Sequence, residues 1–500
     1  MRRIEKLKKL DEKLVTLNNA MSVISWDYET ETPEKGAEER SRELSLLSVF
    51  AHRMSNDEEY ADLALSIKDD ELESDAERAL LREIKEIVEE NSRLPESLVE
   101  KETLLEGQAH SAWLEARAEN SWAVFAPKLS ELLKIKKEKA AILNPEMDCY
   151  DFYLDKFEPG MLKKDIDPLF ADLEKVCHSV MDKVISRCES INSSFLLEDY
   201  DQEKMKDFSA FMMKKMGFDF SRGKLGISVH PFTTSMGPDD VRITNRYNDS
   251  SIFDPVASVT HETGHALYEQ MSALNPEIRG TRISGGVTMG LHESQSRFWE
   301  NIMGRSRAFW VYMYPHFKRF FPRFESVSLD DFLKAINKSE SSAIRVNADE
   351  LTYSLHIIVR YEIEKALFSG ELKVEDVPEM WNKLYKEKVR YTVKNDLEGA
   401  LQDSHWSNGQ FGYFPSYAIG NIYAAMFLDS LSSSLGGADM LEKCLEEGTW
   451  DLVTSWQRKS IWEKGGIYLP KDLIYQVCGR AVTLEPFKKY LEEKYSSLYL

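Results

Sequence analysis

The sequence predicts an all-α protein with one small β-sheet, and three observations carry that prediction. Apolar residues recur at three- and four-residue spacings from end to end, the period of amphipathic helices. Glycine and proline, 24 and 16 in 500 residues, are too sparse for a sandwich or barrel, and no fixed-period repeat stands out. One region alone replaces helical spacing by alternation.

Taken along the chain, "ELESDAERALLREIKEIVEENSRL" and "FAPKLSELLKIKKEKAAIL" set charges between apolar residues at helical spacing. The exception follows at 223–249, "GKLGISVHPFTTSMGPDDVRITNRYND", where two short alternating runs flank a Gly-Pro turn and read as a β-hairpin. It lies just upstream of "DPVASVTHETGHALYEQ", so a small sheet beside that stretch is expected. "SLDDFLKAINKSE" opens with Ser and Asp in capping positions, and "TYSLHIIVRYEIEKALF" and "PFKKYLEEKYSSLYL" return to helix. No linker or composition shift marks a domain boundary, so residues 1–500 are read as one catalytic domain.

Composition narrows the class. With 42% hydrophobic and 30% charged residues the chain is an ordinary globular one. A formal net charge of −21 opposes binding to nucleic acid or to an anionic membrane surface. The five scattered cysteines include no C-x-x-C pair, which points to a reducing compartment without a disulfide framework. The start, "MRRIEKLKKLDEKL", has no apolar core of a signal peptide, and no run of about 18 apolar residues occurs. A cytoplasmic protein is expected.

The chemistry is carried by H-E-x-x-H. His261 and His265 stand at i and i+4, so on a helix they share one face and can grip one metal ion. Glu262, about 100° round the helix, can reach a water held by that metal and act as general base. Zinc suits two neutral imidazoles, a carboxylate and one open position. Two histidines can fall at this spacing by chance, but "DPVASVT" before them and "ALYE" after them supply a helix start and continuation. Gly264 costs that helix roughly 1 kcal/mol against alanine, which signals close approach of another element. Glu269 is excluded as third ligand, because it would lie about 12 Å along the axis from His261. Glu293 in "LHESQSRFWEN" is the candidate from a second helix after the turn "SGGVTMG"; on spacing alone it could equally be a surface residue.

These residues resemble the carboxypeptidase Taq family of metallocarboxypeptidases. Six motifs of that family stand here in order: "HPF" (230–232), "DVRIT" (240–244), "HETGH" (261–265), "HESQ" (292–295), "IRVNAD" (344–349) and "GALQDSHW" (399–406). The resemblance extends to "SWDYETETPEKGAEER" near the start and "PFKKYLEEKY" near the end. One departure is Asn245, where the family is expected to carry Thr. The resemblance implies a two-lobed, all-α fold with a long central groove, similar to neurolysin and angiotensin-converting enzyme. It also implies a homodimer, one Zn²⁺ that Co²⁺ can replace, Glu293 as third ligand, and removal of C-terminal residues with broad specificity.

Other roles follow the substrate's chemistry. A free C-terminal carboxylate is matched by a planar guanidinium, and Arg345 is the candidate; pairing with Asp349 four residues on is its alternative. Gln402 could add a neutral donor, and Arg242 is a second cationic candidate. His230 could hold substrate backbone or simply satisfy the hairpin turn. His405, with Tyr413 and Tyr417, is assigned by resemblance to the oxyanion of the tetrahedral intermediate. Asp403 could orient His405 only from a loop, and His292 is expected to support a metal ligand rather than to be one. Two other readings compete: an endopeptidase or dipeptidyl carboxypeptidase with the same metal site, and a peptide-binding scaffold with a vestigial one.

Overall fold

The computed structural model describes all residues except 248–250 and 287, so the last two residues of the expected hairpin and one residue of the "SGGVTMG" turn lie outside the described residues. The chain is helical from Arg3 to Tyr499, with one three-stranded sheet. It divides into two compact units, each assembled from three stretches of sequence. The chain passes between the units five times, so neither unit is a continuous run of sequence that a linker or a composition shift could mark off.

The first unit comprises residues 1–92, 192–336 and 423–481. Its N-terminal helices Arg3–Thr30, Glu58–Ser66 and Asp75–Arg93 bury Leu7, Tyr60, Leu80 and Ile84 against Ile278 and Ile283. The sheet has strands β1 (Gly223–Ile227), β2 (Thr233–Ser235) and β3 (Val241–Asn245), in the order β1-β3-β2. The expected hairpin is the antiparallel β2–β3 pair around Gly237-Pro238, with Thr234 opposite Arg242. The first alternating run does not belong to that hairpin. It forms β1, which pairs with β3 in parallel, Leu225 opposite Ile243.

The helix Asp254–Ser272 is the centre of this unit. It starts with Pro255 in its first turn, where the missing N–H costs nothing. Val259, Ala266, Leu267 and Tyr268 are fully buried, and a helix apolar on most sides belongs inside a protein. A Cβ on Gly264 would lie 2.5 Å from the Gln295 carbonyl oxygen and 2.7 Å from Ser296 Cα. The close approach predicted from this glycine is therefore that of the helix Met289–Arg297, the one that carries Glu293.

The second unit comprises residues 93–191, 337–422 and 482–500. Its axis is the helix Glu350–Ser369, buried along nearly its whole length and capped by Asp349, whose side chain accepts from the Leu351 and Thr352 amides. His356, Arg360 and Glu364 recur every fourth residue on this helix and are all buried, a polar stripe inside the core. The turns from 395 to 414 meet that stripe by hydrogen bonds, Gln402 and Asp403 to Arg360, and Trp406 and Gly412 to Glu364. Among the described residues no helix is long and apolar enough to cross a membrane.

Candidate active site

His261 Nε2 and His265 Nε2 lie 3.2 Å apart. Glu293 Oε2 lies 3.7 Å from the first and 3.5 Å from the second. These three residues are the one group among the described residues whose ligand atoms converge in this way. Four ligands placed tetrahedrally 2.0–2.1 Å from a zinc ion stand about 3.3 Å from each other. The triangle of two nitrogens and one oxygen thus has the size and donor set of such a site, with the fourth position left to water or substrate.

The surroundings fix the ligand atoms. His261 Nδ1 donates to Glu300 Oε2 at 2.8 Å, so Nε2 is the nitrogen a cation would take, in place of a proton. His265 Nδ1 meets His292 Nδ1, and His292 Nε2 donates to Glu269 Oε1 at 2.8 Å. With the His292 proton committed to Glu269, His265 donates from Nδ1 and presents a bare Nε2. Glu269, excluded as a ligand by its distance, thus sits at the end of this relay, and His292 links it to the candidate ligand His265. Arg297 donates to Glu293 Oε1 at 2.6 Å and to Glu300 at 3.2 Å, so one guanidinium braces the third candidate ligand and the carboxylate behind the first.

The electrostatics suit a cation. Burial opposes charge on His261, yet Glu293, Glu300 and Glu262 outweigh it and raise its pKa to about 9. Burial, together with His292 and His261, lowers His265 to about 3, so its imidazole is neutral as metal ligation requires. Glu293 is held well below the ordinary range because Arg297 and the two histidines overcome its burial. Glu300, likewise buried, is brought down to about 2 by Arg297 and His261. Glu262 behaves differently: burial raises its pKa, with His261 and a hydrogen bond from Thr233 only partly opposing. That bond, Thr233 Oγ1 to Oε2 at 2.6 Å, comes from β2 and is the sheet's contribution to the site. A carboxylate lifted toward neutrality is suited to taking up and releasing a proton.

The other candidates fall into two groups. Arg242 is already paired with Asp240 at 2.7 and 2.9 Å and lies over Trp26. His230 is exposed between β1 and β2, and its carbonyl accepts from Ser228. Asn245 donates to the Pro255 carbonyl at 2.9 Å, so the departure from the family's expected Thr ties β3 to the start of the H-E-x-x-H helix.

In the second unit, Arg345 is buried and does not pair with Asp349, which is occupied as the helix cap. Its Nε and Nη2 both donate to Asp403 Oδ1, at 3.0 and 2.8 Å, and Nη1 donates to the Tyr353 hydroxyl at 3.0 Å. Asp403 Oδ2 accepts from Arg360 Nε at 2.7 Å. Asp403 therefore sits between two guanidiniums, which overcome its burial and hold it far below the ordinary range; its hydrogen bonds go to them rather than to His405. Gln402 is spent internally: Oε1 accepts from the Arg345 amide and from Arg360, and Nε2 donates to the Ala343 carbonyl.

His405, Tyr413 and Tyr417 do come together. His405 Nε2 lies 3.2 Å from the Tyr417 hydroxyl, and its ring centre is 5.3 Å from Tyr413 and 4.4 Å from Phe414. Burial first, then Arg345 and Arg360, lower His405 to about 4 against the pull of Asp403, so the ring is neutral near pH 7.

A sequence model of the carboxypeptidase Taq (M32) metallopeptidases matches residues 6–495. The chain belongs to this family. It is 37% identical over 486 residues to Carboxypeptidase 1 of Bacillus subtilis (strain 168), covering 97% of this chain and 96% of that one. Thermostable carboxypeptidase 1 of Thermus thermophilus is likewise 37% identical, over 490 residues, with 96% and 95% covered. The crystal structure of an M32 carboxypeptidase from Deinococcus radiodurans superposes over the whole of both chains with a TM-score of 0.95 at 33% identity. The chain is thus a metal-dependent carboxypeptidase acting on peptides, with the helical fold of its family.

Sequence reasoning had singled out neither Glu300 and Arg297 nor Thr233. The first two stand seven and four residues from Glu293, on the helical face of that candidate ligand. Glu300 lies in a π-helical turn, Phe298–Met303, a distortion often found at functional sites.

Proposed function

We propose that this carboxypeptidase removes single residues of broad identity from peptide C-termini, with one zinc ion held by His261, His265 and Glu293. The triangle of ligand atoms beside the buried Glu262 carries this reading. When bound, the ion supplies Lewis acidity, which polarises a carbonyl oxygen and acidifies water. The family resemblance adds Co²⁺ as a substitute, and the donor set of two imidazoles and a carboxylate accommodates either ion.

Glu262 accepts a proton from the attacking water as the new carbon–oxygen bond forms. The carbon–nitrogen bond then breaks, and Glu262 returns that proton to the leaving amine. Thr233 holds one oxygen of Glu262, so the other is the one that exchanges the proton. His405, Tyr417 and Tyr413 offer N–H and O–H donors for the oxyanion.

Arg345 is proposed to anchor the substrate carboxylate. Three of its five N–H donors are committed to Asp403 and Tyr353, and the remaining two support a single-sided contact rather than a full fork. Gln402, Arg242 and the exposed His230 are proposed as further substrate contacts, the first two only by exchanging their present partners within the protein. The resemblance further carries the proposals that residues 1–500 act as one catalytic domain and that two copies pair. The five free cysteines support a reducing, cytoplasmic location.

The test is mass spectrometry of a zinc-loaded digest of one peptide, supplied as free acid and as C-terminal amide, with a chelator control. A ladder losing one residue at a time from the free acid alone, stopped by the chelator, is expected. Internal or two-residue cuts, or equal cutting of the amide, would overturn the single-residue reading and its carboxylate anchor.

A further inference from the structure

We propose that Glu364 is a positioning residue: one buried carboxylate that fixes both ends of the segment 405–413 and so sets the attitude of the His405 and Tyr413 rings. The inference rests on the reading above, in which those rings serve the reaction.

Glu364 lies on the central helix of the second unit and is fully buried. Its Oε1 accepts from Trp406 Nε1 at 2.7 Å, and its Oε2 accepts from the Gly412 amide at 2.9 Å and from the Tyr150 hydroxyl at 2.8 Å. Trp406 directly follows His405, and Gly412 directly precedes Tyr413. One side chain therefore holds the chain just beyond each ring.

The segment has little room to settle otherwise. Gly412 has φ +82°, and a Cβ there would lie 2.6 Å from the Tyr153 carbonyl. Gly409 has φ +68° and sits against the Lys136 ammonium. Both positions favour glycine for conformation, and Gly412 also for space, since the atoms it would meet are backbone. Trp406 is also wedged edge-on against Trp122 and Trp381, at ring separations of 6.4 and 6.0 Å.

A carboxylate is a costly choice here. Glu364 forms no salt bridge among the described residues, because the neighbouring Arg360 turns its guanidinium to Asp403. Burial pushes the Glu364 carboxyl up to about 7, with its three hydrogen bonds only partly opposing. An apolar side chain would fill the same space without that desolvation. What only the carboxylate provides is acceptance from an indole on one oxygen and from an amide and a phenol on the other, and the indole and the amide belong to the residues next to His405 and Tyr413.

The experiment is a double-mutant cycle on the zinc-loaded enzyme, combining Glu364→Gln with His405→Ala and measuring kcat, KM, zinc content and melting temperature. Expected for Glu364→Gln alone is a kcat lower by roughly tenfold to a hundredfold, with KM and zinc content held, as for a misplaced catalytic group. In the His405→Ala background the same change is expected to cost less than about threefold, because the group it positions is gone. Equal losses in both backgrounds would make Glu364 a stability element only and overturn the proposal, as would an unchanged kcat in Glu364→Gln. Should Glu364→Gln fail to fold, Trp406→Phe removes one donor and keeps the ring, and its cycle with His405→Ala has the same outcomes. Full activity of His405→Ala beside an inactive Glu262→Gln would overturn the positioning role while the metallopeptidase reading stands. Full activity of Glu262→Gln would instead show that the catalytic reading itself had failed.

Discussion

The helices Asp254–Ser272 and Glu350–Ser369 are built alike and do different things. Each is buried on most sides, and each carries polar residues at four-residue spacing, His261 and His265 on one and His356, Arg360 and Glu364 on the other. On the first, the lone pairs of His261 and His265 converge with that of Glu293 on a shared point, while their far nitrogens are tied back by Glu300 and His292. On the second, Arg360 is committed to Asp403 and Gln402, and Glu364 to Trp406, Gly412 and Tyr150. A buried polar stripe therefore becomes a ligand site when its donor atoms are aimed at one another, and a frame when each is aimed at the protein. The first arrangement needs a cation to be complete; in the second, Arg360 and Glu364 are satisfied by the protein itself.

The sharpest way to break the comparison is Glu262→Gln. If the first helix does chemistry, this change lowers turnover by roughly 10²–10⁴-fold with the metal retained, read by peptide cleavage beside metal analysis. Loss of metal instead would make Glu262 part of the frame. The reciprocal change on the second unit is Asp403→Asn, which leaves two buried guanidiniums without their shared anion. A loss of about 3–5 kcal/mol in stability, measured by urea unfolding, is expected for breaking such a pair. A neutral result would mean that Arg345 and Arg360 find water or other partners, and the frame would not be one.

The two regions were unequally legible in the sequence. H-E-x-x-H is a local pattern, since helix geometry alone puts residues four apart on one face. Gly264 carried the next step: its cost to the helix pointed to a close neighbour, and that neighbour is the backbone at Gln295 and Ser296, beside Glu293. The second region was less legible because residue type does not show where a side chain is spent. Arg345 and Gln402 have the chemistry to bind a carboxylate, but their partners, Asp403, Arg360 and the Ala343 carbonyl, come from segments distant in sequence or hidden in turns. The sheet shows the same limit. Alternation and a Gly-Pro turn identify β2 and β3, whereas the parallel pairing of β1 depends on a connection with no local signature.

Glu300 tests whether the supports of the first helix act as its own frame. Glu300→Gln keeps the size of the side chain but removes the charge behind His261, and metal affinity is expected to fall by about 10–100-fold, read by competition with a chelator. Affinity unchanged within twofold would place the burden on Arg297 and Glu293 alone.

The smallest effect expected is a pH dependence on the second unit, and its sign separates frame from chemistry. The folded pKa of Glu364, about 7, lies above the usual value of about 4.3 for an unfolded glutamate. Between these values the folded chain binds the proton more strongly than the unfolded one. The stabilisation from this group is therefore complete below about pH 4 and is lost as the pH rises through about 7. Glu364→Gln cannot titrate, so the stability of the parent relative to this variant should fall by about 2 kcal/mol between pH 5 and 8. Urea midpoints of the two proteins across that range measure it. A difference that stays flat would mean that the three donors keep Glu364 ionised throughout, and one that grows with pH would mean they pull its pKa below the unfolded value. In either case the carboxylate would hold Trp406 and Gly412 as an anion, with the hydrogen bonds outweighing burial.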